Sequence, residues 1–217
     1  GVVASLSRVE RGSRMQSIMD DPGIPITKIP EAITEIKKIS EKHKIGINTF
    51  GHIGDGNIHP IIICDPRKKE QWDKIQEVCK ELIDLTLRLR GTLTAEHGTG
   101  MAKSPYIKKE LGETLEVMKE IKKALDPNNI LIPGKMGFDD SIKGIYENFA
   151  FLPLLEKPGE IQTFGNALDN EIMACIMCGF CRAGCPDYGE SSLESINARG
   201  RVIQAYYLLT GNLKPLA

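Results

Sequence analysis

Apolar positions along the chain change period several times, and each change marks an element. Over Glu31–Lys44, Ile33, Ile36 and Ile39 recur at helical steps and predict an amphipathic helix, preceded by a Pro- and Ile-rich extended entry from Gly23 to Pro30. His43, between Lys42 and Lys44, reads as a solvated or capping side chain at its end. Ile45–Gly51 and Ile58–Cys64 then predict two strands, joined as a hairpin through the glycine-rich GHIGDGN. Arg67–Arg90 carries Trp72, Ile75, Val78, Cys79, Leu82, Ile83, Leu85 and Leu89 at three- and four-residue steps, which predicts a long helix with one buried stripe. Cys79 belongs to that stripe, and Cys64 reads in the same way as a small apolar residue.

Gly91–Gly100, GTLTAEHGTG, predicts a loop. Helical patterns resume over Tyr106–Leu111 and Glu113–Leu125 and stop at Asp126-Pro127, after which LIPGKMGF reads as an extended closing segment. From Asp139 to Asn170 neither period persists and Pro153 and Pro158 interrupt scattered aromatics, the pattern of a connector. Ser191–Thr210 predicts a last helix, with Arg199 and Arg201 facing either a docking surface or local carboxylates.

Composition sets outer bounds. Twenty-eight Lys and Arg against 29 Asp and Glu leave a net charge of -1, so no overall field favours nucleic acid. With 41% hydrophobic residues the chain buries a real core, yet no apolar run approaches the roughly 20 residues of a membrane span. The expected location is cytoplasmic, with at most peripheral association at the inner face of the membrane. The opening shows neither an initiator Met nor a signal-peptide pattern, as expected of a chain that starts inside a domain.

The densest chemistry lies in CIMCGFCRAGCP. Cys175, Cys178, Cys181 and Cys185 follow the C-x-x-C-x-x-C-x-x-x-C-P spacing that holds iron–sulfur clusters, and Gly179 and Gly184 let the chain wrap closely. Zinc is the competing ligand, although zinc motifs usually set two cysteine pairs a dozen or more residues apart. In two-cluster ferredoxins the fourth cysteine serves the other cluster, and no second motif follows here. Either the chain holds one [4Fe–4S] cluster through all four thiolates, or its second motif has been cut away.

A second constellation precedes it. His52 and His59 flank the Gly54–Asn57 turn, and Glu96 and His97 stand side by side between glycines. Two imidazoles and a carboxylate form a catalytic-metal pattern. Neighbours in an extended loop point in opposite directions, which leaves His97 to face a substrate as a proton acceptor. Turn-stabilising histidines would show the same spacing.

These residues also carry a resemblance. GHIGDGNIHP (51–60), TLTAEHGTGMAK (92–103) and LDPNNILIPGKM (125–136) resemble the C-terminal half of FAD-linked oxidases related to the glycolate oxidase flavoprotein subunit and D-lactate dehydrogenase. CGFCRAGCPDYGESSLESINARGR (178–201) is similar to the iron–sulfur subunit of the same systems. The resemblance implies that His52, His59 and Glu96 bind a divalent metal (Zn or Mn), that His97 is the base, and that Asn57 and Lys135 approach the flavin. Ile132 stands where the family usually has Asn.

It further implies hydride transfer from a small 2-hydroxy acid, glycolate or D-lactate in type, to FAD, with electrons leaving through the cluster. FAD is held in this family mainly by an N-terminal domain that this chain lacks, and no G-x-G-x-x-G follows a strand here. The expected partners are therefore an FAD-binding domain or subunit and a further iron–sulfur domain or electron acceptor.

The expected architecture is α+β. Residues 1–140 form an antiparallel sheet with helices on one face, ferredoxin-like by resemblance. Residues 141–168 form a connector, and residues 169–217 a small, mainly helical iron–sulfur domain. The alternative functions are a non-catalytic electron-transfer adaptor that docks on a separate flavoprotein, and a structural zinc module.

Overall fold

A computed structural model describes residues 5, 8–10, 12–138 and 144–215. The elements in order are β1 (Arg14–Gln16), α1 (Ile29–His43), β2 (Gly46–His52), β3 (Asn57–Cys64), α2 (Lys69–Arg88), α3 (Ile107–Leu111) and α4 (Thr114–Leu125). There follow α5 (Ile145–Phe149), α6 (Leu152–Glu156), α7 (Asn166–Met173), α8 (Phe180–Ala183), α9 (Pro186–Ser191) and α10 (Ala198–Leu209). The class is α+β, with one three-stranded antiparallel sheet in the order β1-β3-β2. Among the described residues no helix is long and apolar enough to cross a membrane.

The chain groups into two compact units, one of Gln16–Ile62 and Trp72–Phe149, the other of Gly1–Met15, Ile63–Gln71 and Ala150–Ala217. In the first, the middle strand β3 is buried along its whole length, which is why its sequence runs IIIC without polar alternation. The stripe of α2 is buried as its spacing predicts: Trp72, Ile75, Val78 and Cys79 are each 0% exposed. Burial pushes the Cys79 thiol far above its ordinary range, consistent with its role as a small apolar residue.

The buried face of α1 is Ile29, Ala32, Ile36 and Ile39, while Ile33 is turned outward. The helix therefore presents a different stripe from the one its isoleucines suggest, because Ala32 holds the i+3 position. It starts at Ile29 with Pro30 in its first turn, where a missing N–H is harmless. It ends at Lys44 in the left-handed conformation, with Ile45 N–H donating to Ser40 O and the Ser40 hydroxyl to Ile45 O.

His43 is not solvated. Its Nε2 lies 2.7 Å from Glu81 Oε1 on α2, and the Lys42 ammonium donates to the same oxygen at 2.7 Å. The Lys42 hydrogen bond, opposed by burial and reinforced by His43, holds the Glu81 carboxyl below its usual range. A carboxyl depressed on folding contributes stability above its unfolded pKa and loses it as pH falls through the folded value. Glu81→Gln is expected to lose on the order of 1 kcal/mol at neutral pH. That difference from the wild type should shrink as pH falls from the unfolded glutamate range through the lower folded value, as measured by urea unfolding at several pH values.

Two other segments depart from their sequence pattern. The stretch 131–138 is not extended: Ile132, Gly134, Met136 and Gly137 all have positive φ, and Lys135–Gly137 forms a 3-10 turn. Asp126 fixes the curve by accepting the N–H groups of Ile130 and Leu131, together with the Lys122 ammonium. The last helix is also shorter than expected. Ser192 at φ 54 ends α9, and α10 begins only at Ala198, where buried Asn197 accepts the Gly200 N–H as N-cap. A side chain at Gly200 would stand 1.7 Å from Glu194 O, so only glycine fits that crossing.

In the second unit Ile172, Met173, Tyr206 and Leu209 form the core, with Phe151, Met177 and Ala205 packed against it. Within the stretch expected to be a connector lie the short helices α5 and α6, and Phe151 packs against this core. Arg199 and Arg201 are taken by local carboxylates, Glu194 and Asp187 respectively.

Candidate active site

Three pieces of the first unit converge on one place. The hairpin turn Ile53–Asp55 sets His52 at the end of β2 and His59 two residues into β3. Gly56 makes that turn possible: it has φ 82, and a Cβ there would lie 2.3 Å from Ile24 O. The extended segment Asp20–Gly23 runs beside the hairpin, with Ile58 N–H donating to Pro22 O and Ile24 N–H to Gly56 O. Gly23 and Thr92 pair through reciprocal backbone hydrogen bonds, which brings in the loop that carries Glu96 and His97. Glu110 on α3 holds the start of that loop, accepting the Leu93 N–H at 2.8 Å and the Thr92 hydroxyl at 2.6 Å.

The four predicted side chains meet. Glu96 Oε1 lies 3.5 Å from His52 Nε2, 3.2 Å from His59 Nε2 and 3.3 Å from His97 Nε2. The rings of His59 and His97 are nearly parallel with centroids 5.1 Å apart, and His52 stands edge-on to His59. Ligands about 2.0–2.1 Å from a tetrahedral ion are separated by about 3.3–3.4 Å, close to the 3.2–3.5 Å between Glu96 Oε1 and the ring nitrogens. His59 is the best prepared of them. It is buried, and its Nδ1 donates to Asp20 O at 2.6 Å, which fixes the tautomer that leaves the Nε2 lone pair free.

His97 is half-exposed, and its Nδ1 faces the Asp20 carboxylate at 3.6 Å, too far for a hydrogen bond. The donor set, two imidazoles and one carboxylate with room for further ligands, fits a divalent cation. His52, Asn57 and Glu96, with Asp55 and Ala95, line a cavity of about 390 Å³. Asn57 is buried, and its side-chain oxygen has no hydrogen-bond partner. Lys135 is not among the residues that line this cavity: it lies in the turn packed beside α3.

Sequence spacing gave no sign of Asp21 and Lys103. Asp21 is 0% exposed, and its carboxylate accepts the N–H groups of Ala95, Glu96 and His97 and the ammonium of Lys103. Burial alone would raise the Asp21 carboxyl, but the His97 and Glu96 N–H groups and Lys103 outweigh it and hold the carboxyl below its usual range. Burial in turn holds the Lys103 ammonium below the ordinary lysine value, against the pull of Asp21. Asp21, His59, Glu96 and His97 each place one potential ligand atom within 4.8 Å of the others.

The four motif cysteines belong to the other unit and are free thiols. Cys178 and Cys181 are exposed, Cys175 and Cys185 half-buried. The backbone turns back on itself at Met177 (φ 57) and Gly179 (φ 84), and Cys185 caps α9 ahead of Pro186. Arg14 donates to Cys175 O at 2.8 Å and lies over the Tyr206 ring, which ties the start of the motif to the unit's core. The Cys185 Sγ accepts the Ala198 N–H at 3.4 Å; this bond and that from Tyr188 N–H lower its thiol pKa against burial. The four sulfurs are soft donors carried on one short, glycine-containing stretch of chain.

The glycolate oxidase subunit GlcD of Bacillus subtilis is 39% identical to this chain over 130 residues, which are 59% of this chain and 28% of that protein. The mitochondrial D-lactate dehydrogenase [cytochrome] of Arabidopsis thaliana is 38% identical over 122 residues, 56% of this chain and 22% of the relative. A D-2-hydroxyglutarate dehydrogenase of Stutzerimonas stutzeri is 35% identical over 122 residues, 54% and 26% of the two chains. The chain thus spans between a fifth and a third of the length of these relatives. The profile described as FAD linked oxidases, C-terminal domain, matches residues 1–136, a stretch that contains every residue of the histidine–glutamate site. With well over half of its 217 residues matched, the chain belongs to the family of FAD linked oxidases, C-terminal domain.

Proposed function

We propose that this chain is the substrate-domain part of a flavin-dependent 2-hydroxyacid dehydrogenase of the glycolate or D-lactate type, carrying an iron–sulfur module for onward electron transfer. The observation that carries the reading is the convergence of three imidazole nitrogens on Glu96 Oε1 at an open cavity, in a member of an FAD-linked family. The names of the relatives, a glycolate oxidase subunit and two kinds of D-hydroxyacid dehydrogenase, support that substrate class.

His52, His59 and Glu96 would hold a divalent cation, Zn or Mn. Such a cation would supply Lewis-acid polarisation of the substrate's oxygens, and FAD, held by the FAD-binding part, would supply the hydride acceptor. His97 takes the hydroxyl proton at Nε2, with Asp20 behind its other nitrogen to steady the charge that forms. By family resemblance Asn57 and Lys135 would approach the flavin; of the two, Asn57 lines the cavity and has an unpartnered side-chain oxygen to offer as acceptor. Cys175, Cys178, Cys181 and Cys185 would hold the [4Fe–4S] cluster, which would supply a route for electrons to a further iron–sulfur domain or acceptor.

The test is metal and sulfide analysis of anaerobically purified protein, wild type beside Glu96→Ala, with and without the FAD-binding part. The expected result is about four iron and four sulfide per chain, plus one further divalent ion that Glu96→Ala removes. Iron and sulfide without that ion, even with the FAD-binding part supplied, would leave the electron-transfer adaptor as the function. Zinc at the cysteines with no sulfide would remove the redox role.

A further inference from the structure

Asp21 falls within the same tight group of potential ligand atoms as His59, Glu96 and His97, but its hydrogen bonds assign it a different task. Its Oδ2 accepts Ala95 N–H at 2.9 Å, Glu96 N–H at 3.1 Å, His97 N–H at 2.9 Å and Lys103 Nζ at 3.3 Å, while Oδ1 accepts Glu96 N–H at 3.1 Å. Three consecutive N–H groups aimed at one carboxylate curl the backbone into an anion-binding nest. That curl brings the Glu96 and His97 side chains to face the hairpin histidines. Lys103 is 3% exposed; its ammonium donates to Asp21 Oδ2 and neutralises that carboxylate, and its backbone N–H donates to Thr99 O. The loop is thus pinned at both ends. Asp20 next door completes the frame, its carbonyl orienting His59.

We infer that Asp21, neutralised by Lys103, is the positioning residue of the metal centre and not one of its ligands. A carboxylate already occupied by backbone donors and an ammonium offers a cation little, whereas its loss releases the loop that carries one ligand and the base. The inference rests on the metal reading given above. Partners of this kind typically alter metal affinity by about 10–100-fold when replaced.

The experiment measures Mn²⁺ and Zn²⁺ affinity of the full chain by calorimetry, with amide hydrogen exchange read residue by residue. In Asp21→Asn one acceptor oxygen replaces two, so amides 95–97 should exchange faster and affinity should fall about 10–100-fold, while exchange in β3 stays unchanged. Asp21→Asn with Lys103→Met removes both buried charges and decides the matter if the single variant fails to fold. Weaker binding together with faster exchange at amides 95–97 and β3 intact supports the inference; weaker binding with those amides unchanged makes Asp21 a ligand, and binding equal to the wild type likewise overturns it. A wild type that binds neither ion, and so matches Glu96→Ala, overturns the metal reading itself.

Discussion

Replacing Glu96 by Gln should lower kcat/KM for the hydroxy acid by about 10³-fold or more, assayed with the FAD-binding part present. Three imidazole nitrogens converge on the Glu96 carboxylate, each within 3.5 Å of the same oxygen. Removing its charge leaves a divalent cation with neutral ligands only. Lewis-acid stabilisation of developing charge contributes several kcal/mol, and each 1.36 kcal/mol is tenfold in rate. Glutamine keeps the size and a hydrogen-bonding head, so the loop, held through backbone N–H groups, should stay in place. A variant that retains more than about a tenth of the wild-type rate would remove Glu96 from the metal centre.

His97→Gln should produce a different failure. Metal content should match the wild type, KM should move little, and kcat should drop by about 10²–10⁴-fold, the usual range for a lost general base. The geometry puts this assignment at risk, because His97 Nε2 lies as near to Glu96 Oε1 as His59 Nε2 does, 3.3 Å against 3.2 Å. What separates them is the second nitrogen. That of His59 is fixed on a backbone carbonyl at 2.6 Å, and that of His97 only faces a carboxylate at 3.6 Å. If His97→Gln loses the ion together with activity, His97 is a ligand and the base must be sought elsewhere.

The parts of this site that could be read in the sequence were those with local spacing. His52 and His59 bracket a turn whose glycines announce it, and Glu96 and His97 sit in a loop of small residues, so proximity followed from the hairpin and the family motif. Asp21 was not legible, because its three N–H donors lie 74 to 76 positions away and nothing in an aspartate before a proline signals such partners. Lys103 closes the TLTAEHGTGMAK motif, but nothing in that spacing signals that its ammonium is buried. The same distinction holds for the fold. The long stripe of α2 was legible over its length, while β1 spans three residues, too few for alternation to show. The closing stretch 131–138 misled because isoleucine and methionine rarely adopt positive φ, as Ile132 and Met136 do here.

Because Asp21 grips the loop by its amides, the frame does not depend on which side chains the loop displays. Every amino acid except proline brings the N–H it needs. Residue 95 is therefore open to drift, and residues 96 and 97 can be exchanged for other donor types without redrawing the backbone. For an enzyme engineer this makes the hairpin and its aspartate a reusable chassis: the chemistry can be rewritten in two adjacent codons, while the only residue forbidden on architectural grounds is proline.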